Sequence, residues 1–109
     1  MADRLIQLLK FLDEAPEDSF NLYSVAYEYL NRGEIDKAME YFLTLRKLHP
    51  DYVGLYYHLG KTYERQEKYP EAQKAYEEGL IVSRKLKDRH AEGELLRAQT
   101  QLRDELEDW

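Results

Sequence analysis

The chain has 109 residues, 35% of them charged and 43% hydrophobic, with five glycines, three prolines and a formal net charge of −6. This composition suits one helical domain rather than a disordered chain, of a size that buries roughly two-thirds of its unfolded surface. The negative charge argues against generic binding to nucleic acid or an anionic membrane, and the absence of cysteine removes disulfides, thiol nucleophiles and thiolate metal sites.

The N-terminal run Met1-Ala2-Asp3-Arg4 leads into an amphipathic segment containing Lys10, not an uninterrupted apolar stretch. Neither a secretory signal nor a membrane span is expected, and cytoplasmic residence is the default. A first helix over residues 2–14 places Leu5, Leu8, Leu9 and Leu12 on one stripe and stops before Pro16, whose predecessor is pushed towards extended geometry. Asp18 or Ser19 caps a second helix that runs to Arg32, and Gly33 supplies the permissive conformation that ends it. A third helix spans Glu34 to Leu48, and Pro50 closes that stretch.

Asp51 is expected to cap a fourth helix ending near Gln66. Pro70 stands where a first helical turn tolerates proline and opens a fifth helix, to Leu86. After Asp88 a sixth helix runs to about Glu107, with Ala91, Leu95, Ala98, Leu102 and Leu106 on one apolar stripe. Its polar positions, including Glu92, Glu94, Gln99, Gln101 and Arg103, fall largely on the other side.

The order hidden in these helices is a repeat. Leu22-x-x-Val25-Ala26-x-x-Tyr29, followed by Ala38-x-x-x-Phe42, returns 34 residues later as Tyr56-x-x-Leu59-Gly60-x-x-Tyr63, followed by Ala72-x-x-x-Tyr76. The small residues let a neighbouring helix approach, and the aromatic residues one turn on fill the space beside it. Small and large residues in this phase, with Pro50 at the end of the first unit, resemble the tetratricopeptide repeat. The resemblance covers residues 19–86. Leu22 in place of tryptophan, Val25-Ala26 in place of leucine-glycine, and Arg84 in place of a closing proline are departures from the family pattern. The last suggests a longer fifth helix.

The fold class expected is therefore all-α, an antiparallel helical-hairpin solenoid of about six helices forming a single domain over residues 1–109. Residues 1–16 read as an N-terminal half-repeat, because the 34-residue shift sets Leu8 against Phe42, Phe11 against Leu45 and Pro16 against Pro50. Repeat 1 is 19–52 and repeat 2 is 53–86. Residues 88–107 read as a C-terminal capping helix, since the end of a stack must cover one face and be polar on the other.

The resemblance implies a scaffold that binds protein segments in a concave groove lined by the first helix of each pair. Rotation away from the packing residues gives Phe20, Tyr23, Tyr27 and Leu30 in repeat 1, and Gly54, Tyr57, Lys61 and Glu64 in repeat 2. Tyrosine combines rigid apolar area with a polar tip, which suits a groove that grips a peptide and is solvated when empty. The expected partner-binding residues are Phe20, Tyr23, Tyr27, Asn31, Tyr57, Lys61 and Arg65. Tyr23 and Tyr27 occupy the positions of the lysine and asparagine with which one subset of the family clamps the terminal carboxylate of chaperone tails. A chaperone tail is therefore not the expected ligand.

No catalytic residues, metal ligands or cofactors are expected. His49, His58 and His90 lack the spacing of a zinc site; Ser19, Ser24 and Ser83 lack a glycine-flanked elbow; and acidic pairs such as Glu77-Glu78 read as solvated surface. The basic run Ser83-Arg84-Lys85-Leu86-Lys87-Asp88-Arg89 fits a helix C-terminus, where cations face the last carbonyls, and it lacks aromatics for stacking bases. The function expected is non-enzymatic binding of a peptide or helix of a partner protein, by a monomer rather than a dimer, without membrane or nucleic acid. The alternative is a structural subunit that self-associates through a repeat edge or the terminal helix, using Leu95, Leu102 and Leu106.

Overall fold

The computed structural model describes residues 3–107, and these contain six α-helices and no strand. They are α1 (Arg4–Glu14), α2 (Ser19–Asn31), α3 (Ile35–Leu48), α4 (Gly54–Arg65), α5 (Tyr69–Lys85) and α6 (Arg89–Glu107). The expected start of the first helix at residue 2 lies outside the described residues. Contacts group the chain into two units, Met1–Tyr52 and Val53–Trp109. In the first unit α2 packs on α3 and on α1; in the second, α5 lies against both α4 and α6, and α6 also touches α4.

Three of the six helices start at an aspartate cap. The carboxylates of Asp3 and Asp18 accept from the Leu5 and Asn21 amides at 2.9 Å, and that of Asp88 accepts from the Ala91 amide at 3.0 Å. Asp51 does not cap α4. The residue before that helix is Val53, already in helical backbone, and Asp51 sits in the preceding turn, where the Tyr52 amide donates to the His49 carbonyl. The fifth helix is the longer one expected, at 17 residues against 14 for α3.

Three helices end in the same left-handed turn. After α2, the Gly33 and Glu34 amides donate back to the Leu30 and Tyr29 carbonyls, with Gly33 at φ +76°. Glu67 after α4, and Lys87 after α5, adopt φ 59° and 58° with the same pair of returning bonds. Side chains in this region crowd their own carbonyl, a strain that glycine avoids. The variant Glu67→Gly/Lys87→Gly is therefore expected to be more stable by about 1 kcal/mol, net of the extra freedom glycine gives the unfolded chain, and urea denaturation measures it.

The two hairpins fill equivalent space with different residues. In the first unit Ala26 and Phe42 are wholly buried, as are Leu22 and Leu45 to within 2% exposure. In the second, Gly60 lies against the ring of Tyr76, whose hydroxyl donates to Glu64. Gly79 stands where the 34-residue shift places Leu45, and it lets Tyr56 and Leu95 approach the α5 backbone. Burial, and after it the hydrogen bond to Glu64, pushes the Tyr76 phenol up from its ordinary value, so it stays a neutral donor.

α6 spends its apolar stripe inside this unit. Leu95, Ala98 and Leu102 are buried. Self-association through Leu95 and Leu102 is thus corrected: both are occupied within the fold, because the second hairpin has its own apolar face to cover.

His58 on α4 is half-buried, with its ring 5.3 Å from that of Tyr57. Desolvation lowers its pKa below the ordinary 6.5, partly opposed by the charge of Glu94 on α6. The unfolded chain therefore binds this proton more readily, so His58's contribution to stability is full above pH 6.5 and is lost as pH falls from there through the folded value. Parallel denaturation series from pH 7.5 to 5 should show His58→Gln losing less stability on acidification than the wild type.

Candidate functional site

Four of the expected binding residues, Phe20, Tyr23, Tyr27 and Asn31, line one cleft of about 560 Å3 in the first unit. Their spacing of three and four residues brings them along one side of α2. Phe20 is 65% exposed and Tyr27 37% exposed, while Tyr23 is half-buried. The Tyr23 ring is held edge-on to Tyr27 at 6.0 Å and to Phe42 at 6.4 Å, and tilted against Tyr52 at 5.4 Å. Tyr23 is therefore the floor of the cleft, and Phe20 and Tyr27 offer its accessible aromatic area.

Arg4, Ser24 and Glu28 complete the lining. Arg4 comes from α1, and its Nε lies 3.5 Å from Oε2 of Glu28 with 74% of the side chain exposed. The other oxygen of Glu28 faces Nε of Arg32 at 3.5 Å, and its side chain is only 14% exposed. Arg32 also grips Asp3 through both its terminal nitrogens, tying the start of α1 to the end of α2. The Arg32 guanidinium, with the Leu5 amide, holds the Asp3 carboxyl below its usual range, and Asp3 in turn holds Arg32 above its own. A further tie, from the Asn21 side-chain amide to the Phe11 carbonyl at 3.1 Å, seats α1 beside the cleft.

Two groove assignments need correction. Leu30 does not face the groove; it is buried within the first unit. Glu64, its counterpart 34 residues on, turns the same way and accepts from Tyr76. At this position one unit has a buried leucine and the other a carboxylate that accepts from a phenol across the hairpin.

Tyr57, Lys61 and Arg65 belong to α4 in the second unit. Lys61 Nζ lies 5.7 Å from the centre of the Tyr57 ring and 3.8 Å from Glu64, and Arg65 is exposed. Among the described residues no group of three or more histidine and acidic side chains is placed to hold a metal ion, and no helix is long and apolar enough to cross a membrane. Arg4 and Glu28 escaped the reading of the sequence, because α1 and α2 meet through contacts some 24 residues apart that no helical period announces.

The fold and the repeat agree with what this chain is similar to. A family model described as a tetratricopeptide repeat matches residues 23–85, more than half of the chain. The repeat-containing protein YpiA of Bacillus subtilis (strain 168) is 32% identical over 71 residues, which are 65% of this chain and 16% of YpiA, so the chain spans about a sixth of that relative. A crystal structure of a tetratricopeptide repeat domain protein from Salinibacter ruber superposes with a TM-score of 0.77 at 36% identity, covering 80% of this chain and 97% of that one. A solution structure from Bordetella parapertussis shares the fold, with a TM-score of 0.84 at 22% identity over 96% of this chain and 91% of its own. The recurrence at 34 residues, the paired helices and these matches together make the chain a member of the tetratricopeptide repeat family, whose helical hairpins serve as protein-interaction scaffolds.

Proposed function

We propose that this chain grips a segment of a partner protein on the aromatic cleft of its first unit, acting as a non-enzymatic binding module that needs no cofactor. The observation that carries the reading is the exposure of Phe20 and Tyr27 above a Tyr23 floor fixed by Tyr52 and Phe42. Rigid aromatic area binds at low entropic cost, and a pre-formed floor means little is left to order when the partner arrives. Ser24, Asn31 and the tyrosine hydroxyls offer hydrogen bonds to the backbone of the incoming segment. In the second unit Tyr57 with Lys61 over its ring, and the exposed Arg65 on the same helix, offer a second contact surface. One such module is expected to bind a peptide in the micromolar range, roughly −8 kcal/mol.

The test is a capture experiment from the source cell's extract with wild-type protein and Phe20→Ala/Tyr27→Ala, after circular dichroism has established that the variant folds. Both residues are exposed, so stability should change little while a partner held by the wild type is lost. A partner retained equally by both would refute the cleft. Size-exclusion chromatography with light scattering should return a monomer.

A further inference from the structure

We infer, resting on that reading of the cleft, that the segment it takes up carries an acidic side chain next to an aromatic or aliphatic anchor, with Arg4 recognising the charge. Phe20 and Tyr27 supply the apolar contact for the anchor. The acid is indicated by how unevenly the charges beside them are held. Arg32 is committed twice, to Asp3 and to Oε1 of Glu28. Arg4 reaches only Oε2 of the same carboxylate, at 3.5 Å, and is largely in solvent.

When Arg4 turns away from Glu28, that carboxylate keeps its contact with Arg32, a cation it shares with Asp3. Glu28 is left with a shared cation rather than with none, which lowers the cost of the move. The guanidinium is then a planar donor at the mouth of an aromatic cleft, able to take both oxygens of an incoming carboxylate. A basic side chain would meet the opposite situation. It would have to approach Arg4 and Arg32 to reach Glu28, whose two oxygens already face those guanidinium groups.

Three blocked dipeptides probe this directly: N-acetyl-Phe-Asp-amide, N-acetyl-Phe-Asn-amide and N-acetyl-Phe-Lys-amide, titrated into the 15N-labelled full chain at low ionic strength. The amides of residues 20–31 report occupancy. The aspartyl ligand is expected to bind roughly three- to fivefold more tightly than the asparaginyl one, the scale of a single exposed ion pair, and the lysyl ligand most weakly. Arg4→Gln should erase that preference while leaving the asparaginyl ligand's binding in place. Glu28→Gln, which removes the competing carboxylate, should enlarge it, and added salt should shrink it.

Equal binding of the three ligands, preference for lysine, or no shifts on α2 with any of them would overturn the proposal. Equal binding with shifts confined to residues 20–31 would leave the aromatic cleft standing and remove only the acidic partner. Partner capture that survives Phe20→Ala/Tyr27→Ala would remove the cleft itself.

Discussion

Gly60→Ala is expected to destabilise the second unit by about 3 kcal/mol, the upper part of the range for forcing extra volume into a packed core. A methyl group there would overlap the Tyr76 ring, lying 2.5 Å from its Cζ and 2.6 Å from its Cδ1. The ring is wholly buried and tethered at its tip by Glu64, so it cannot swing aside as a surface side chain would. The first unit shows the alternative solution: Ala26 coexists there with Phe42, which has no hydroxyl, and Leu30 stands where Glu64 does. Adding Tyr76→Phe and Glu64→Leu to Gly60→Ala should therefore recover part of the loss. Urea denaturation of the single and combined variants measures the coupling, and strict additivity of the changes would contradict the tethered-ring account.

Gly79→Ala is expected to cost about 2 kcal/mol and to loosen α6. Its methyl would lie 2.6 Å from Tyr56 Cβ and 2.9 Å from Leu95 Cδ1, so it pushes against α4 and α6 together. The first unit holds Leu22 and Leu45 at the positions of Tyr56 and Gly79. Tyr56→Leu keeps the Cβ that the methyl meets and leaves Leu95 in place, so it should recover little of the loss. Hydrogen exchange checks this: amides of α6 should lose protection in Gly79→Ala and regain little of it when Tyr56→Leu is added.

The parts of this molecule that were legible in the sequence are those set by local spacing. The helix cap at Asp18 and the turn at Gly33 depend on residues within one helical turn, and the small-large pairs recur at a fixed interval. Phe20, Tyr23, Tyr27 and Asn31 could be grouped because they share one side of a single helix. Leu30 and Glu64 were misplaced because their direction depends on packing across the hairpin, which for Glu64 means a phenol 12 residues away. The Asp51 cap failed because the chain makes one more turn before α4 begins. Arg4 and Glu28 could not be joined at all, since their pairing follows from how α1 docks, and that docking rests on Arg32 with Asp3 and Asn21 with Phe11.

The central claim is that the first unit's cleft is where a partner sits. Its most direct test is an amide shift map of the 15N-labelled chain titrated with the segment of the captured partner that suffices for binding. The account predicts that the largest perturbations fall on Phe20, Tyr23, Ser24, Tyr27 and Asn31, with the Arg4 side chain moving alongside them. Perturbations confined to the exposed side of α6 around Leu96 and Gln101, with the α2 amides unmoved, would contradict it.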